Sequence, residues 1–346
     1  MPKNQKILFL PLFFLFLSNI FVFPENLFPQ ESSVLQNNEA EEKKIQKYST
    51  LSFSEIWGYV MTAREDSFSP VFPITDVGYF WKAVDQYGNI PEPPPRGKFF
   101  QDYAGRVHFV SSCDSRGQTH LLLSTKELQK KIISQLIKAS ETYDGLQIDW
   151  ELVPVNDDMV FYDFLKKLKK KLKGKMLTVA IPARLKTLEK DPYDYARLST
   201  VADKIIIMAY DQHWSTSAPG PVASPDWGKK IYNYAKTVIP EEKLIMGAPF
   251  YGRAWSNEDI GGRAWTNISV ERIIGEQKIK DSDLKTDKNG NRYFKLEKKR
   301  IVTLYFDDTE SEINRLKIYK NEGVEKIAFW RVGQENPELW NFLKAE

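Results

Sequence analysis

Eight short apolar runs recur along the chain, and this repeat constrains the fold more than any other feature of the sequence. From the third run onward, segments with helical apolar spacing separate one run from the next. Strands that alternate with helices predict a parallel sheet, because parallel neighbours need crossover connections. Eight such strands predict an α/β fold, the (β/α)8 TIM barrel. The runs lie at Ile56–Val60, Asp76–Trp81, Arg106–Ser111, Leu146–Trp150, Met176–Ile181, Lys204–Ala209, Leu244–Ala248 and Lys326–Trp330.

Four segments between the runs predict amphipathic helices, which lie at Thr125–Ser140, 156–173, Asp226–Val238 and Ser311–Asn321. In the second of them, Asn156 or Asp157 is expected to cap the start, and Gly174 stands where a left-handed residue would end the helix. Its polar face is a run of lysines, Lys166, Lys167, Lys169, Lys170, Lys171 and Lys173. Because apolar residues thread this run at helical spacing, we interpret it as a solvated helix face rather than an anion-binding patch.

Two parts of the chain depart from the regular repeat. Loops rich in proline and glycine stand between the first three runs, where the repeat expects helices. After the seventh run comes an insertion at about 254–304, in which Asp287–Asn291 is typical of a hairpin turn. A calcium loop is the alternative for this turn, but Gly290 is out of register and no bidentate glutamate follows. The prediction is a (β/α)8 barrel over 51–346 with a small insertion after strand 7.

The N-terminus is predicted to be a targeting segment rather than part of the fold. Lys3 and Lys6 precede a strongly apolar stretch, Ile7–Phe23, which is typical of an export signal. Since no small-x-small cleavage site is obvious, an uncleaved anchor that tethers the protein to a membrane is the alternative for residues 1–28. Residues 29–50 are polar and predict a linker. We therefore expect an exported protein that is periplasmic, in the cell envelope or extracellular.

Composition excludes several classes of partner and cofactor. Of the 346 residues, 42% are hydrophobic and 27% charged, which is typical of a globular protein. A net charge of +3 is too small to argue for nucleic acid. Cys113 is the single cysteine and is interpreted as a structural thiol. The histidines His108, His120 and His213 are not spaced as metal ligands, so we expect no metal and no cofactor. We also expect the protein to be a monomer.

The segment Asp144–Glu151 carries the main functional signal. Successive side chains of a strand alternate between its two faces, so Gln147, Asp149 and Glu151 share one face. The opposite face is entirely apolar, which places the strand in a core. A buried charge costs several kcal/mol unless it is paired. Two carboxylates on such a strand therefore favour a catalytic acid pair over an edge strand with a solvated acidic face.

Polar and aromatic side chains also follow the later strands, at the end where the active site of such a barrel lies. Tyr210 and Asp211 follow the sixth run, Tyr251 and Arg253 follow the seventh, and Trp330 ends the eighth. Carboxylates bind at glycosidic oxygens, phenols at hydroxyls and amides, and an indole at the face of a sugar ring. This rim therefore predicts a sugar-binding pocket.

These motifs resemble those of the family-18 glycoside hydrolases, the chitinase-like group, over about residues 56–342. The strand-four signature Asp-x-x-Asp-x-Asp-x-Glu corresponds to Asp144, Gln147, Asp149 and Glu151, the Met-x-Tyr-Asp signature to Met208, Tyr210 and Asp211, and the terminal tryptophan to Trp330. A further similarity, to the cell-wall and spore-cortex N-acetylglucosaminidases, lies in Tyr210–Trp214, Pro219–Ser224 and Phe329–Glu335.

The resemblance implies an exported hydrolase of β-1,4-linked N-acetylglucosamine, in peptidoglycan or chitin-type glycans, with substrate-assisted retaining catalysis. Glu151 would be the general acid, Asp149 would orient the acetamide of the substrate, and Tyr210 would donate to the acetamide oxygen. The implied substrate-binding residues are Asp144, Gln147, Asp211, Trp214, Tyr251, Arg253 and Trp330, the last beneath the sugar. A general acid must carry a proton, so Glu151 needs a raised pKa. A nearby anionic Asp149 would raise the pKa of Glu151.

The chain departs from the pattern of the family at two positions. Gln147 stands where an aspartate usually shares a proton with Asp149, so we expect Asp149 to stay anionic through the cycle. Ser111–Asp114 replaces the usual Ser-x-Gly-Gly of strand three, so the sequence does not assign the residues of the distal sugar subsites. The alternative function is a non-hydrolytic, lectin-like member of the same fold. The retained Glu151 favours hydrolysis.

Overall fold

The computed structural model describes residues 48–258, 261–297 and 300–346. Its strands, in chain order, are β1 (Leu51–Phe53), β2 (Glu55–Met61), β3 (Asp76–Phe80), β4 (Arg106–Cys113), β5 (Gly145–Trp150), β6 (Met176–Pro182), β7 (Lys204–Met208), β8 (Leu244–Pro249), β9 (Tyr251–Ser256), β10 (Arg263–Thr266), β11 (Lys285–Thr286), β12 (Arg292–Glu297), β13 (Ile301–Phe306), β14 (Lys326–Trp330) and β15 (Leu343–Ala345). Its helices are α1 (Gly97–Phe100), α2 (Arg116–Leu123), α3 (Lys126–Ala139), α4 (Asp158–Lys171), α5 (Tyr195–Ser199), α6 (Pro225–Ala235), α7 (Asn267–Glu276) and α8 (Thr309–Glu322).

Eight strands close into a barrel in the order β14-β2-β3-β4-β5-β6-β7-β8, and all neighbours pair in parallel. These are the eight predicted runs, so the (β/α)8 barrel is confirmed. Two separate apolar clusters explain why the strands read as apolar on both faces. The inner cluster fills the barrel and contains Trp57, Tyr59, Phe80, Val110, Ile206, Ile245 and Ala328. The outer cluster lies between the strands and the helices and contains Ile148, Trp150 and Phe164 among many others.

The predicted helices are present, with one error at a helix start. Thr125 caps α3 by accepting a hydrogen bond of 3.2 Å from the amide of Leu128. Neither predicted residue caps α4: a 3-10 turn, Val155–Asp157, precedes the helix, and the Asp157 carboxylate instead binds Nδ1 of His120 at 2.7 Å. Gly174 has the predicted left-handed conformation, with a φ of 91°, and Gly323, which ends α8, has a φ of 100°.

The insertion after the seventh barrel strand forms a sheet of its own. Its five antiparallel strands lie in the order β10-β9-β13-β12-β11, with α7 alongside. The predicted hairpin turn joins β11 to β12. Its Asp287 carboxylate accepts hydrogen bonds from the amides of Asn289 and Asn291, at 2.8 and 2.9 Å. This carboxylate therefore stabilises the turn itself.

A second small sheet was not predicted. β1 and β15 pair in parallel, so the first and last described strands join beside the barrel. Among the residues that the structure describes, no helix has the length and hydropathy needed to cross a membrane. The signal segment or anchor of residues 1–28 and nearly all of the linker, to residue 47, lie outside the described residues.

Candidate active site

The strand that carries the carboxylates, β5, has the predicted alternation of faces. Leu146, Ile148 and Trp150 belong to the apolar cluster outside the barrel. Gln147 and Asp149 face inward, where both lie beside the buried phenol of Tyr59. Because β5 runs toward the open C-terminal end, Gln147 lies deepest, then Asp149, and Glu151 lies at the rim.

Gln147 and Asp149 are buried, and several of their polar atoms lack a hydrogen bond within the part of the chain that the structure describes. Gln147 is fully buried and Asp149 is 7% exposed. Both side-chain polar atoms of Gln147 and the Oδ1 atom of Asp149 lack a hydrogen-bond partner among the described residues. In particular, Gln147 makes no hydrogen bond to Asp149. Since an unsatisfied buried polar atom costs free energy, these atoms are available to a polar ligand.

The Asp149 and Glu151 carboxyls titrate as a coupled pair, and both have raised pKa values. Burial, followed by the negative charges of Asp114 and Asp211, raises the pKa of Glu151 to about 7. Burial, followed by the charges of Glu151 and Asp114, raises the pKa of Asp149 well above its usual value. Glu151 is solvent-accessible, but protein surrounds its carboxyl on most sides, as in an open cleft. The Glu151 carboxyl can thus carry the proton that a general acid needs.

The backbone around Glu151 is held by hydrogen bonds on both sides. The amide of Glu151 donates to the carbonyl of Cys113 at 2.7 Å. The hydroxyl of Tyr193 donates to the carbonyl of Trp150 at 2.8 Å and accepts from the amide of Val153 at 2.9 Å. Leu152, between these contacts, has a φ of 58°, which turns the chain sharply after the acid.

Tyr210 forms a neighbouring part of the same site. Burial, with the charge of Asp149 among the further causes, raises the pKa of its phenol well above the usual value, so the hydroxyl stays a donor. Its ring meets that of Tyr251 edge to face, with the centroids 6.3 Å apart. A Cβ at Gly247 would lie 3.1 Å from the Tyr210 ring, so this glycine provides room for the ring.

Asp211, Tyr251 and Arg253 form one hydrogen-bonded unit. Oδ1 of Asp211 accepts from the hydroxyl of Tyr251 and from Nη2 of Arg253, each at 2.8 Å. Tyr251 and Arg253 are buried, and both come from β9, the first strand of the insertion. The insertion therefore anchors the loop that begins after Tyr210.

The wall across the barrel from β5 is aromatic. Trp330 ends β14, and its ring lies 5.5 Å from that of Tyr59 and 4.8 Å from that of Phe80. Burial and the charge of Asp149 raise the pKa of Tyr59, whose hydroxyl lacks a partner among the described residues. Position 78 must be a glycine, because a Cβ at Gly78 would lie 2.4 Å from the ring of Tyr59.

The loop after β7 carries the remaining predicted residues. Nδ1 of His213 lies 2.9 Å from the carbonyl oxygen of Pro221, consistent with its interpretation as a hydrogen-bonding loop residue. Trp214 is 48% exposed, and its indole donates to Thr216 at 2.9 Å. Trp214 is thus an exposed indole on this loop rather than part of the buried pocket.

One substrate-binding assignment is wrong, that of Asp144. This residue precedes β5 and lies at the opposite end of the barrel from Glu151. Its carboxylate accepts from the amide of Val107 at 2.8 Å and from Nε of Arg96 at 3.1 Å. Asp144 therefore fixes the start of the strand, about 20 Å from its catalytic end at the usual rise per residue.

Three residues of the site were not predicted: Tyr59, Asp114 and Tyr193. Tyr59 could have been found from the alternation of β2, which turns it inward with Trp57. Asp114 directly follows β4, and this position at the end of a strand is the one feature of the sequence that indicates a role in the site. Tyr193 lies in a loop after β6, and nothing in the sequence indicates that it reaches the residues on either side of Glu151.

The thiol and the histidines lie outside this site or serve the structure. Cys113 is buried, and burial raises the pKa of its thiol to about 11, which suits a structural thiol. His108 is buried, with Nε2 2.8 Å from the Asp76 carboxylate. Within the described ranges, no group of three histidine, cysteine or acidic side chains is arranged to hold a metal ion.

The geometry can carry out acid–base chemistry on a polar ligand. Glu151, an acid with a raised pKa, lies at the rim. The Asp149 carboxyl and the Tyr59 phenol lie deeper, and each has a polar atom without a hydrogen-bond partner among the described residues. The carboxyl groups near this acid are those of Asp149, Asp114 and Asp211. An aromatic wall completes a surface suited to a sugar ring.

Comparison with known proteins agrees with this geometry. The model of the family described as glycosyl hydrolases family 18 matches residues 114–335. The uncharacterized glycosylase YvbX of Bacillus subtilis is 27% identical over 236 residues, which is 64% of this chain and 67% of that protein. The cortical fragment-lytic enzyme of Bacillus anthracis is 23% identical over 237 residues, 65% of this chain and 55% of the enzyme. The chain thus spans little more than half the length of the second relative.

Solved structures share the fold. The spore cortex-lytic enzyme SleL of Bacillus cereus superposes with a TM-score of 0.75 at 20% identity, covering 86% of this chain and 75% of that chain. A chitinase from Chromobacterium violaceum superposes with a TM-score of 0.71 at 20% identity, covering 84% of this chain and 97% of that chain. At these identities the similarity establishes the barrel architecture.

Proposed function

Because the chain belongs to family 18 of the glycosyl hydrolases, we propose that it is a glycosidase that cleaves β-1,4-linked glycans containing N-acetylglucosamine. The reaction is retaining and uses the acetamide of the substrate as its nucleophile. One observation carries this proposal: Glu151, with a pKa raised to about 7, stands two residues beyond the buried Asp149 on the same strand face. A carboxylic acid with such a pKa can donate a proton near neutral pH.

In the first step, the acetamide carbonyl oxygen attacks the anomeric carbon of its own sugar. The glycosidic bond breaks, and its electron pair stays with the leaving oxygen, which takes the proton of Glu151. The resulting oxazolinium ion is then opened by a water molecule, whose proton returns to the Glu151 carboxylate. Two inversions at the anomeric carbon give net retention.

The other side chains orient the acetamide. Asp149 accepts from the acetamide N–H and offsets the positive charge that develops on the ring. Tyr210 donates to the acetamide oxygen and holds it near the anomeric carbon, which is a positioning effect. Trp330 packs under the sugar and the acetyl methyl. Polar groups of the glycan bind to Gln147 and to the unit formed by Asp211, Tyr251 and Arg253. The exposed indole of Trp214 packs against a more distant sugar.

We further propose peptidoglycan as the natural glycan and the cell envelope or its exterior as the site of action. Two similar proteins are described as a cortical fragment-lytic enzyme and a spore cortex-lytic enzyme, which supports a cell-wall substrate. The apolar, lysine-preceded segment within residues 1–28 supports export, with either cleavage or a membrane tether. We expect a monomer.

Product analysis tests the proposed function. Purified protein is incubated with peptidoglycan and with chitin oligomers, and the products are identified by mass spectrometry. New reducing ends on N-acetylglucosamine, absent with Glu151→Gln, support the proposal. Binding of either glycan by the wild type without any cleavage would contradict it and favour the lectin-like alternative.

A further inference from the structure

We propose that Arg64 and Arg331 form a binding site for a carboxylate carried by a sugar next to the reacting N-acetylglucosamine. The site would select glycans whose alternate sugar bears an acidic substituent, as peptidoglycan does, over neutral chitin-type glycans. This inference rests on the proposed function and names the substrate class of the same pocket.

Two rim loops bring these arginines together. Arg64 follows β2, and Arg331 follows β14, the neighbouring strand of the barrel. The Ser67 hydroxyl donates to the carbonyl of Arg64 at 2.7 Å and lies 3.4 Å from the carbonyl of Val332. A Cβ at Gly333 would lie only 2.5 Å from that of Ser67, so the two loops are in direct contact.

Arg331 is partly buried, and no acidic side chain of the described residues is its partner. The side-chain oxygen of Gln334, in the orientation that satisfies both groups, accepts from its Nε and Nη2 atoms at 3.2 Å each. No carboxylate of the described residues forms an ion pair with either arginine. Burial and the positive charge of Arg64 lower the pKa of Arg331, as expected for two cations near each other without an anion between them.

The acidic residues nearest in the sequence are engaged elsewhere or exposed. Glu335 is buried and accepts from the amides of Gly333 and Gln334, at 2.7 and 3.0 Å, and from the Trp340 indole at 2.9 Å. The Glu65 carboxylate accepts from the Tyr79 hydroxyl at 2.6 Å. Asp66 is exposed and makes no ion pair with a described residue. The exposed Arg64 and the partly buried Arg331 are therefore both open to an external anion.

The charge distribution of the rim fixes the side on which such an anion binds. In the closed barrel, β14 stands opposite β5, with three strands between them on either side. The β5 side carries Glu151, whose neighbours include Asp114 and Asp211, and these charges repel an acidic sugar. Trp330 lies at the end of β14, next to Arg331. A carboxylate beside the reacting sugar is therefore attracted toward the arginines and repelled by the acidic side of the rim.

Peptidoglycan meets this requirement, because its second sugar carries a lactyl group that ends in a carboxylate or in a peptide with carboxylates of its own. A chitin-type glycan has no acidic group. The arginine pair thus distinguishes two substrates that present the same N-acetylglucosamine and the same acetamide to Asp149, Tyr210 and Glu151.

The test compares matched glycans with the full-length protein. The three probes are peptide-free peptidoglycan strands with free lactyl carboxylates, the same strands with those carboxylates converted to amides, and the tetramer of β-1,4-linked N-acetylglucosamine. The readout is the ratio of kcat/KM on the acidic strands to kcat/KM on the amidated strands. We expect the wild type to favour the acidic strands by about tenfold or more, mainly through KM, as for a charge-assisted contact.

Arg331→Gln and Arg64→Gln should each move this ratio toward one. Arg331→Lys should give an intermediate ratio, because lysine keeps the charge but cannot form a bidentate contact. Lys170→Gln, near the end of α4 at the opposite end of the barrel, removes one positive charge as a control and should leave the ratio unchanged. A wild type without preference for the acidic strands, or arginine variants that keep the full preference, would overturn the inference.

A binding measurement separates this inference from the proposed function. Calorimetry with Glu151→Gln, alone and combined with Arg331→Gln, compares affinity for the acidic and the amidated strands. If the wild type cleaves none of the three glycans, the proposed function fails, yet a preference for acidic strands that depends on Arg331 still supports the arginine site. Equal affinity for both strands would overturn the site even in an active enzyme.

Discussion

The hydroxyl of Tyr193 donates a hydrogen bond of 2.8 Å to the carbonyl oxygen of Trp150, the residue before the proposed general acid. The same hydroxyl accepts from the amide of Val153, two residues beyond that acid. Tyr193 therefore fixes the short turn that carries Glu151.

Tyr193→Phe should lower kcat more than it raises KM, because the acid loses its fixed position relative to the glycosidic oxygen. It should also cost about 1–3 kcal/mol of stability through the two unsatisfied backbone groups. Tyr143→Phe is the matched control, since the Tyr143 hydroxyl bonds the carbonyl of Pro94 at 2.7 Å, near the other end of β5. Steady-state kinetics and thermal unfolding of both variants check this. A control variant that loses as much kcat would contradict a local role for Tyr193.

The basic limb of the pH–rate profile should fall near pH 7, since activity is lost as Glu151 gives up its proton in the free enzyme. Asp114→Asn should shift this limb to lower pH, because removal of a neighbouring negative charge lowers the pKa of Glu151. The measurement is kcat/KM across pH for both proteins. A limb that stays in place or moves to higher pH would show that Asp114 does not raise the pKa of the acid.

Asp149→Asn and Tyr210→Phe should each lower kcat by about 10²-fold or more while changing KM less. The proposed contacts of both side chains strengthen as the oxazolinium ion forms, so their loss affects the transition state most. Steady-state kinetics on an N-acetylglucosaminide show whether each side chain stabilises the transition state or the bound substrate. A change confined to KM would assign these residues to ground-state binding.

Gln147→Asp should give an active enzyme with a shifted pH–rate profile. The new carboxyl would lie beside Asp149, and the two would titrate together with the Glu151 carboxyl as a coupled set. Gln147→Asn keeps an amide at this position and serves as the control, for which we expect no shift in the profile. An unchanged profile in the aspartate variant would remove the role that we give to Gln147.

The barrel could be predicted from the sequence because each of its strands is an apolar run of five or more residues. β1 and β15 could not, since three residues are too few to show a period. The N-terminal cap of α4 was predicted wrongly because Asp157 binds His120, a partner from another helix. Such a tertiary contact outcompetes the local capping preference and leaves no trace in the local sequence.

The site was predictable where the residues follow strand alternation, as Gln147, Asp149 and Glu151 do. Asp144 was assigned from motif spacing, although a residue three positions before Gln147 cannot share its strand face. The position of the Tyr193 hydroxyl and the raised pKa of Asp149 could not be predicted in this way. Both depend on packing between segments that are distant in the sequence.

Dependence on the acetamide of the substrate tests the central claim most directly. The wild type is assayed on two glycosides with the same leaving group, one of N-acetylglucosamine and one of glucose, and Glu151→Gln is assayed on both. We predict hydrolysis of the N-acetylglucosaminide alone and its loss in the variant, because without an acetamide the site holds no nucleophile. Comparable hydrolysis of the two glycosides by the wild type would contradict substrate-assisted catalysis.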